Sequence, residues 1–323
     1  MSVHRHVVWI SGLLIAALVL WQHHMTVRGA IANPTRSPWA GEIGLVPAET
    51  ATPRPTATAP VSLTITPAPT PTASPTLAPA LERPALQRPA PDMEAHRRAL
   101  TVPILMYHYI SVPPAGADKY RVDLSVPPDM FEQQLAYLAE NGFSTVSLYD
   151  LLNHLSVGAP LPPRPVALTF DDGYRDNYEN AFPLLKKYGF TGTFFIVSDF
   201  INANRPEYMT WDMVREMAGA GMSIESHSRT HPDLRGRSFQ FLVWEILGPI
   251  EAITHHTGRR PHFFCYPAGK YDRDVIAVLE SVEMWAAVTT NPGRRQTLDT
   301  AMLWPRMRVH GGGSLRDFAR LVN

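Results

Sequence analysis

Residues 166–174 read VALTFDDGY, an apolar run that ends abruptly in two adjacent aspartates and a glycine. An apolar run of this length, followed by turn residues, predicts a short buried strand that opens into a loop. Because two ionised carboxylates repel each other, Asp171 and Asp172 favour either a bound cation or one protonated acid. The alternative is a solvated Asp-Asp-Gly turn after an edge strand, which is a common arrangement.

A second stretch, MSIESHSRTHP at residues 222–232, also combines an apolar strand pattern with metal-capable side chains. His227 and His231 are four residues apart, so both imidazoles can converge on one ion from a helical turn or a tight loop. In a chain with 13 histidines such a spacing can arise by chance. The histidine pair becomes significant because it follows a predicted strand, as the two aspartates do.

The chain beyond residue 101 alternates short apolar runs with segments of helical spacing. We predict strands at residues 102–107, 144–148, 166–170, 192–197, 222–226, 263–266, 286–289 and 306–309, and helices at residues 130–141, 149–155, 180–188, 211–220, 239–257 and 272–280. This alternation implies parallel strands joined by right-handed crossovers. It predicts an α/β fold, a distorted (β/α) barrel of about seven parallel strands, with the loops after the strands sharing one rim.

Residues 1–32 contain an apolar run from Val7 to Leu20 behind a basic start. A mostly apolar run of fourteen residues, interrupted by Ser11 and Gly12, is short for a membrane span and typical of the core of a signal peptide. Ala30, Ile31 and Ala32 offer a cleavage site, although it lies far from the apolar run. Two outcomes stay open, cleavage after Ala32 or retention as an uncleaved membrane anchor, and both predict an extracytoplasmic protein.

Residues 33–100 are rich in proline, threonine and alanine. Proline removes backbone donors and fixes φ, so this composition predicts a disordered linker or stalk and not a folded core. The remaining residues, 101–323, hold 21 basic and 24 acidic side chains. This charge balance argues against nucleic acid as a partner. The predicted organisation is therefore a signal peptide or anchor (1–32), a linker (33–100) and one catalytic domain (101–323).

The segments TFDDG (169–173) and HSRTH (227–231) resemble the first two signature motifs of the polysaccharide deacetylases. These are carbohydrate esterases with a nodulation-protein-B-like domain that remove N-acetyl groups from carbohydrate polymers in a metal-dependent reaction. The flanking segments ILMYH (104–108) and YPAG (266–269) extend the resemblance, which runs from about Val102 to the C-terminus. It implies that the chain is a hydrolase acting on a linear amide of a sugar polymer.

The resemblance also implies roles for the motif residues. Asp172, His227 and His231 are expected to hold a divalent metal ion, zinc first, with cobalt, nickel and manganese as alternatives. Asp171 is then free to act as the base that takes a proton from the attacking water. In the turn after the strand at 263–266, the group Tyr266, Pro267 and Ala268 is expected to contact substrate and stabilise the oxyanion through a backbone N–H.

Two departures from the family pattern concern the groups around Asp171. Many members carry an arginine in the third motif that braces the catalytic aspartate, and Cys265 stands at that position here. Arg306 is a candidate substitute from another strand, and a surface salt bridge is the alternative for it. The general acid has two candidates, His108 at the end of the first strand and His310 after the last, although a lone histidine is more often structural.

The leading hypothesis is an extracytoplasmic, metal-dependent N-deacetylase that acts on N-acetylglucosamine units of a cell-surface polysaccharide or of peptidoglycan. Its partners would be the N-acetylated polymer and, if residues 1–32 are retained, a membrane. The alternative is a catalytically weakened carbohydrate-binding surface protein on the same scaffold, for which Cys265 and the uncertain acid argue. A third possibility keeps the metal but hydrolyses a different amide.

Overall fold

A computed structural model describes residues 86–323 of the chain. The predicted signal or anchor segment at 1–32 and most of the predicted linker at 33–100 lie outside the described residues, so their boundaries stay predictions. Within residues 86–323, no helix is both long and apolar enough to cross a membrane. The end of the predicted linker contacts the domain: the Asp92 N–H donates to Ser156 O at 3.0 Å.

The strands in the described part of the chain belong to two sheets. They are β1 (Leu100–Thr101), β2 (Ile104–Tyr107), β3 (Ser144–Thr145), β4 (Pro165–Phe170), β5 (Thr193–Ile196), β6 (Ser223–Ser226), β7 (Phe263–Cys265), β8 (Ala286–Pro292), β9 (Arg295–Gln296) and β10 (Trp304–Arg308). In the larger sheet the two-residue strand β3 pairs with β4 at one side. The other strands of this sheet run in the order β2-β10-β8-β7-β6-β5-β4, and β4 pairs in turn with β2. These seven parallel strands form a closed barrel, which confirms the predicted fold class.

Most of the α-helices in residues 86–323 lie in the connections between strands, and the last one follows β10. They are α1 (Lys119–Asp123), α2 (Pro128–Glu140), α3 (Leu148–Val157), α4 (Phe182–Tyr188), α5 (Ser198–Asn202), α6 (Trp211–Gly219), α7 (Phe239–Thr257), α8 (Arg273–Ser281) and α9 (Leu315–Val322). The bounds of α7 agree with the prediction because both of its ends carry local signals. The Ser238 hydroxyl accepts from the Phe241 N–H, and Gly258 ends the helix at φ 68°.

Some predicted elements differ in extent from those observed. The strand predicted at 144–148 stops at Thr145, because Ser147 caps the next helix through a reciprocal bond with Asp150. The last strand was predicted at 306–309 and instead begins at Trp304, so Arg306 lies in its middle. Helices α1, α5 and α9 and the antiparallel β1–β9 pair were not predicted. Short elements such as these have too few residues to show a period.

The barrel interior is mostly apolar towards the N-terminal ends of its strands, where Glu225 is a buried exception, and polar towards their C-terminal ends. Ile104, Phe195, Phe263 and Trp304 share one buried cluster with leucines of α3. The Tyr149 ring of that helix packs edge-on against Phe263, with 4.7 Å between ring centroids. Helix α3 therefore closes the N-terminal end of the barrel, and the C-terminal ends of the parallel strands are left to carry polar groups.

Candidate active site

Three predicted metal ligands meet at the C-terminal rim of the barrel. Asp172 follows β4, whereas His227 and His231 follow β6. The Asp172 Oδ1 atom lies 3.2 Å from His227 Nε2 and 3.4 Å from His231 Nε2. One ligand atom from each of the three residues lies within 4.8 Å of the others. The His231 side chain keeps 33% of its surface exposed, so the cluster is open on one side.

The backbone at this rim adopts an uncommon conformation. Seven non-glycine residues in the described part of the chain have positive φ, and four of them belong to the site: Asp172, Ser228, His231 and Ala268. Such conformations cost free energy and persist where the surrounding structure fixes them. The Asp172 φ of 75° and the His231 φ of 61° occur at two of the three candidate ligands, so the fold holds these ligands in place at some cost.

His227 is oriented by a hydrogen bond on the ring nitrogen away from the cluster. Its Nδ1 lies 2.7 Å from the Cys265 carbonyl oxygen, which can only accept a hydrogen bond. Nδ1 therefore carries a proton. Without a metal, Nε2 holds a second proton that it shares with Asp172, because charge and hydrogen bonds from Cys265 and Asp172 outweigh burial and raise the pKa of His227. A metal at Nε2 would displace that second proton. The Nδ1–carbonyl bond is the arrangement by which a carbonyl fixes the tautomer of a metal-binding histidine. A carboxylate and two imidazoles with open space beside them suit a divalent ion such as zinc.

The protonation states of the other two members are consistent with metal binding. Burial, with the charge of the neighbouring His227 as the second cause, lowers the pKa of His231 to about 4, so His231 is neutral at pH 7. For Asp172, burial raises the pKa but the hydrogen bond and charge of His227 outweigh it, and the net shift is downward. A neutral imidazole and an ionised carboxylate are the forms that bind metal.

Asp171 is bound on both oxygens by Arg306, whose side chain is fully buried on β10. The Arg306 Nη1 donates to Asp171 Oδ1 and the Nη2 to Oδ2, each at 2.7 Å. The other donors of the guanidinium reach Thr289 O, Thr169 Oγ1 and Cys265 Sγ at 2.9–3.1 Å. Arg306 therefore has all five N–H groups paired, and its predicted alternative, a surface salt bridge, is wrong.

The electrostatic effect of this pair is to keep Asp171 ionised. Burial raises the pKa of the Asp171 carboxyl, but the Arg306 charge and hydrogen bonds outweigh burial and hold it below its usual value. Cys265 lies against the same carboxylate, with its Sγ 3.4 Å from Oδ2. Cys265 thus stands where the third motif was expected to have an arginine. The guanidinium that binds Asp171 belongs instead to Arg306 on β10.

The two predicted acid candidates lie in different surroundings. His108 follows β2, and its Nε2 lies 3.9 Å from Asp171 Oδ2. Burial lowers the pKa of His108, although the neighbouring Asp171 and Asp172 act in the opposite direction. His310 is exposed over 58% of its side chain, and its Nδ1 lies 2.7 Å from Asp123 Oδ1. Of the two histidines, His108 is the one that the fold brings against Asp171.

The turn after β7 was predicted to supply an oxyanion donor. Pro267–Gly269 forms a single 3₁₀ turn in which Ala268 has φ 52°. The Gly269 N–H donates to Tyr266 O at 2.8 Å, and the Lys270 N–H donates to Pro267 O at 3.0 Å. A Cβ atom at Gly269 would lie 1.9 Å from Thr290 Oγ1, so this position requires glycine. The Tyr266 hydroxyl points elsewhere, donating to Met302 O at 3.0 Å.

Glu245 on α7 is a site-supporting residue that sequence reasoning missed. It is fully buried, and its Oε2 accepts from the Arg229 N–H at 3.0 Å and the Thr230 N–H at 2.9 Å. Its other oxygen accepts from the Thr230 hydroxyl. These bonds fasten the loop that carries both histidines. The sequence did contain a signal for Glu245, a single acidic residue on the apolar face of a long helix. A buried acidic residue seldom occurs without a partner.

Comparison with known proteins places this architecture in a family. The sequence profile of the family described as "Polysaccharide deacetylase" matches residues 158–287. YxkH of Bacillus subtilis (strain 168), named as a polysaccharide deacetylase, is 32% identical over 221 residues, which cover 68% of this chain and 76% of YxkH. The poly-beta-1,6-N-acetyl-D-glucosamine N-deacetylase of Escherichia coli (strain K12) is 23% identical over 242 residues, but the match spans only 36% of that protein.

Solved structures agree with the sequence relatives. The Streptococcus pyogenes deacetylase PplD in complex with acetate superposes with a TM-score of 0.65 at 27% identity, covering 70% of this chain and 100% of that chain. The polysaccharide deacetylase BC0361 from Bacillus cereus gives a TM-score of 0.62 at 26% identity over 70% of each chain. With a barrel of the same kind and a relative matched over most of its length, the chain belongs to the polysaccharide deacetylase family.

Proposed function

We propose that this chain is an extracytoplasmic, metal-dependent hydrolase that removes N-acetyl groups from N-acetylglucosamine units of a cell-surface polysaccharide or of peptidoglycan. One observation carries the proposal: an open cluster of one carboxylate and two imidazoles lies beside a second carboxylate that a buried arginine keeps ionised. The extracytoplasmic location is supported by the apolar segment predicted in residues 1–32 and by a relative named as a peptidoglycan-N-acetylmuramic acid deacetylase.

Asp172, His227 and His231 would hold the metal, with zinc the first choice for a site of one oxygen and two nitrogen ligands. A divalent ion there would lower the pKa of water and polarise the acetamide carbonyl. The exposed side of His231 leaves room for substrate to approach the cluster.

Asp171 acts as the base. Its carboxylate is ionised at neutral pH and is fixed in orientation by the two parallel bonds from Arg306. It takes the proton of the attacking water, and the C–N bond of the tetrahedral intermediate then breaks. The lowered pKa makes Asp171 a weak base, so the proton is readily released again to solvent or to the departing nitrogen.

His108 acts as the acid that protonates the departing sugar amine, because it lies against Asp171 whereas His310 is paired with Asp123 at the surface. The amide of Ala268 is the proposed oxyanion donor, since the amides of Gly269 and Lys270 are already used within the turn. In this assignment the products are acetate and a free amino group on the polymer.

The proposed function is tested by acetate release from a panel of N-acetylated glycans, together with the metal content of the purified full chain. We expect His227→Ala to abolish stoichiometric metal and acetate release, because each of three ligands is needed for tight binding. His96→Ala, a change at an exposed histidine paired with Asp299, is the matched control and should leave both unchanged. Stoichiometric metal in the His227→Ala variant would contradict the ligand assignment.

The alternative function, a weakened carbohydrate-binding protein, was suggested by the cysteine at position 265. The Arg306 guanidinium on β10 binds Asp171, which this cysteine cannot do. The main argument for a weakened carbohydrate-binding protein is thereby removed. The same panel distinguishes the two functions. A metal-loaded protein that binds glycans but releases no acetate from any of them would favour the binding protein.

A further inference from the structure

Arg229 lies between the candidate ligands His227 and His231, in the loop that follows β6. We call residues 227–231 the histidine loop. The Arg229 N–H donates to Glu245 Oε2 on α7, and the Arg229 carbonyl accepts from the Asp199 N–H on α5, each at 3.0 Å. The middle of the histidine loop is therefore attached to two different helices.

The Arg229 side chain lies along the surface of α7. Its guanidinium carbon is 4.2 Å from the centroid of the Trp244 ring, and its Nε donates to Asp199 Oδ2 at 3.0 Å. Gly248 follows Trp244 by one helical turn, and a Cβ atom there would come within 3.1 Å of the Cδ and Nη1 atoms of Arg229. We call Arg229, Asp199, Trp244 and Gly248 the arginine clasp.

Gly248 is an uncommon residue for the interior of a helix, because glycine is less favourable there than alanine. One reason for it is Pro249, since a Cβ on the residue before a proline disfavours the helical conformation. The Arg229 side chain is a second reason, because 3.1 Å is well inside the distance of about 3.5–4.0 Å at which carbon atoms pack. The missing Cβ leaves the space in which the arginine of the histidine loop lies.

The histidine loop needs support because its backbone has an unfavourable conformation on both sides of Arg229. Ser228 has φ 64° and His231 has φ 61°, and such residues persist only where the surrounding structure fixes them. The Cys265 carbonyl bonds the His227 ring, whereas the Nδ1 of His231 has no hydrogen-bond partner in the described part of the chain. The position of the His231 ring is therefore set mainly by the loop that carries it.

We propose that the arginine clasp holds His231 in position for the metal, so that Arg229 is a positioning residue that sets the metal affinity of the site. This inference rests on the proposed function, because it takes Asp172, His227 and His231 as the ligands. With the clasp in place, the histidine loop is ordered before the ion binds. Without the clasp, the loop loses conformational entropy on binding, and the affinity for the ion falls.

The test measures the dissociation constant of zinc for the full chain, by competition with a chelator of known affinity. We expect Arg229→Ala to raise this Kd about ten- to a hundredfold, the range for removing an outer contact that orients a metal ligand. The metal-free variant should unfold at nearly the wild-type denaturant concentration, since a partly exposed ion pair adds little stability. Arg215→Ala, at an exposed ion pair with Asp212, is the matched control and should change neither quantity.

Gly248→Ala distinguishes the contact with Arg229 from the effect of Pro249. Alone, it should raise the zinc Kd about three- to tenfold, because the new Cβ displaces the Arg229 side chain. In an Arg229→Ala background the same change should leave the Kd unaltered, because no arginine remains to be displaced. The influence of Pro249 is equal in both backgrounds, so this double-mutant cycle cancels it. Gly219→Ala, at a helical glycine where a Cβ meets no atom within 4 Å, is the control.

Two results would overturn the inference: an Arg229→Ala Kd equal to that of the wild type, or the same loss of affinity from Gly248→Ala with and without Arg229. If Arg229→Ala does not fold, Gly248→Ala is compared with Gly219→Ala, and equal zinc affinities in that pair would overturn the inference as well. The same titration separates the inference from the proposed function. A wild type that binds no zinc contradicts the zinc site of the proposed function and the clasp with it, whereas equally tight zinc binding by the wild type and Arg229→Ala removes the clasp alone.

Discussion

Asp171 and Glu225 are two buried carboxyl groups of one barrel, and their pKa values shift in opposite directions. Asp171, 2% exposed at the C-terminal rim, is held below its usual pKa by Arg306, which outweighs the effect of burial. Glu225, 1% exposed on β6, has its pKa raised by burial to about 7. Because both carboxyl groups are almost fully buried, their opposite pKa shifts must come from the groups that contact them.

The partners of Glu225 are four neutral donors. Its Oε2 accepts from the N–H groups of His262 and Phe263, each at 2.8 Å. Its Oε1 accepts from the hydroxyls of Tyr149 at 2.9 Å and Ser223 at 2.8 Å. Neutral hydrogen bonds only partly offset the loss of water around a carboxylate, whereas a bidentate guanidinium adds a full opposite charge. The rim therefore keeps an ionised carboxylate, and the opposite end of the barrel keeps a carboxyl that can be protonated.

The largest expected effect comes from removing the charge partner of Asp171. Arg306→Met leaves the carboxylate buried without a counter-charge, and we expect a loss of about 3–5 kcal/mol in the free energy of unfolding. Chemical denaturation of the full chain measures it. Arg320→Met is the control, because Arg320 and Asp317 form an exposed pair that should contribute under about 1 kcal/mol. Equal losses of unfolding free energy in both variants would mean that the buried Arg306–Asp171 pair stabilises the protein no more than an exposed ion pair does.

Amide substitution at the two carboxyl groups gives the next largest effect, on activity. Asp171→Asn keeps the shape and the proposed ligands, so metal should remain while acetate release falls on the order of a thousandfold, or about 4 kcal/mol in the barrier. Glu225→Gln should release acetate at the wild-type rate. Full activity in Asp171→Asn would move the role of base to another group.

The pH dependence of stability should separate the two carboxyl groups further. Because the Glu225 pKa rises from 4.5 unfolded to about 7 folded, its protonated form is favoured by folding, and this stabilisation is lost as pH rises from about 4.5 to 7. Glu225→Gln does not titrate, so its stability relative to wild type should increase by on the order of 3 kcal/mol between pH 4.5 and pH 8.

Glutamine fits the site because its carbonyl can face the His262 and Phe263 amides while its NH₂ donates to the Tyr149 and Ser223 hydroxyls. Thermal or denaturant unfolding at a series of pH values measures the difference. A constant difference between variant and wild type across this range would show that Glu225 is ionised in the folded protein throughout.

The smallest expected effect distinguishes the two histidines proposed as acid. His108→Ala should lower acetate release on the order of ten- to a hundredfold, at the low end for a general acid, because its lowered pKa leaves a small protonated fraction at neutral pH. His310→Ala should leave the rate unchanged, since it removes only an exposed contact to Asp123. The rate and its pH profile are measured for both variants. The reverse pattern would assign the acid to His310.

The local sequence determined the parts of this protein that depend on neighbouring residues. Apolar runs ending in polar side chains located the strand ends, and Ser238 with Gly258 fixed the bounds of α7. The alternation of strands and helices predicted the barrel, and the barrel in turn predicted that the side chains after different strands meet. Asp172, His227 and His231 were identified in this way as candidate ligands, because each lies in a short motif next to a strand end.

The tertiary structure decided what depends on residues far apart in the chain. Arg306 reaches Asp171 across 135 positions, and it does so because closure of the barrel brings β10 next to β2 and so near to β4. His108 rather than His310 lies against Asp171 for a similar reason: both follow strands, but only the loop after β2 turns its histidine inward. Periodicity reports which face of an element is buried, whereas the partner of a buried charge is set by strand register and closure, which no local pattern contains.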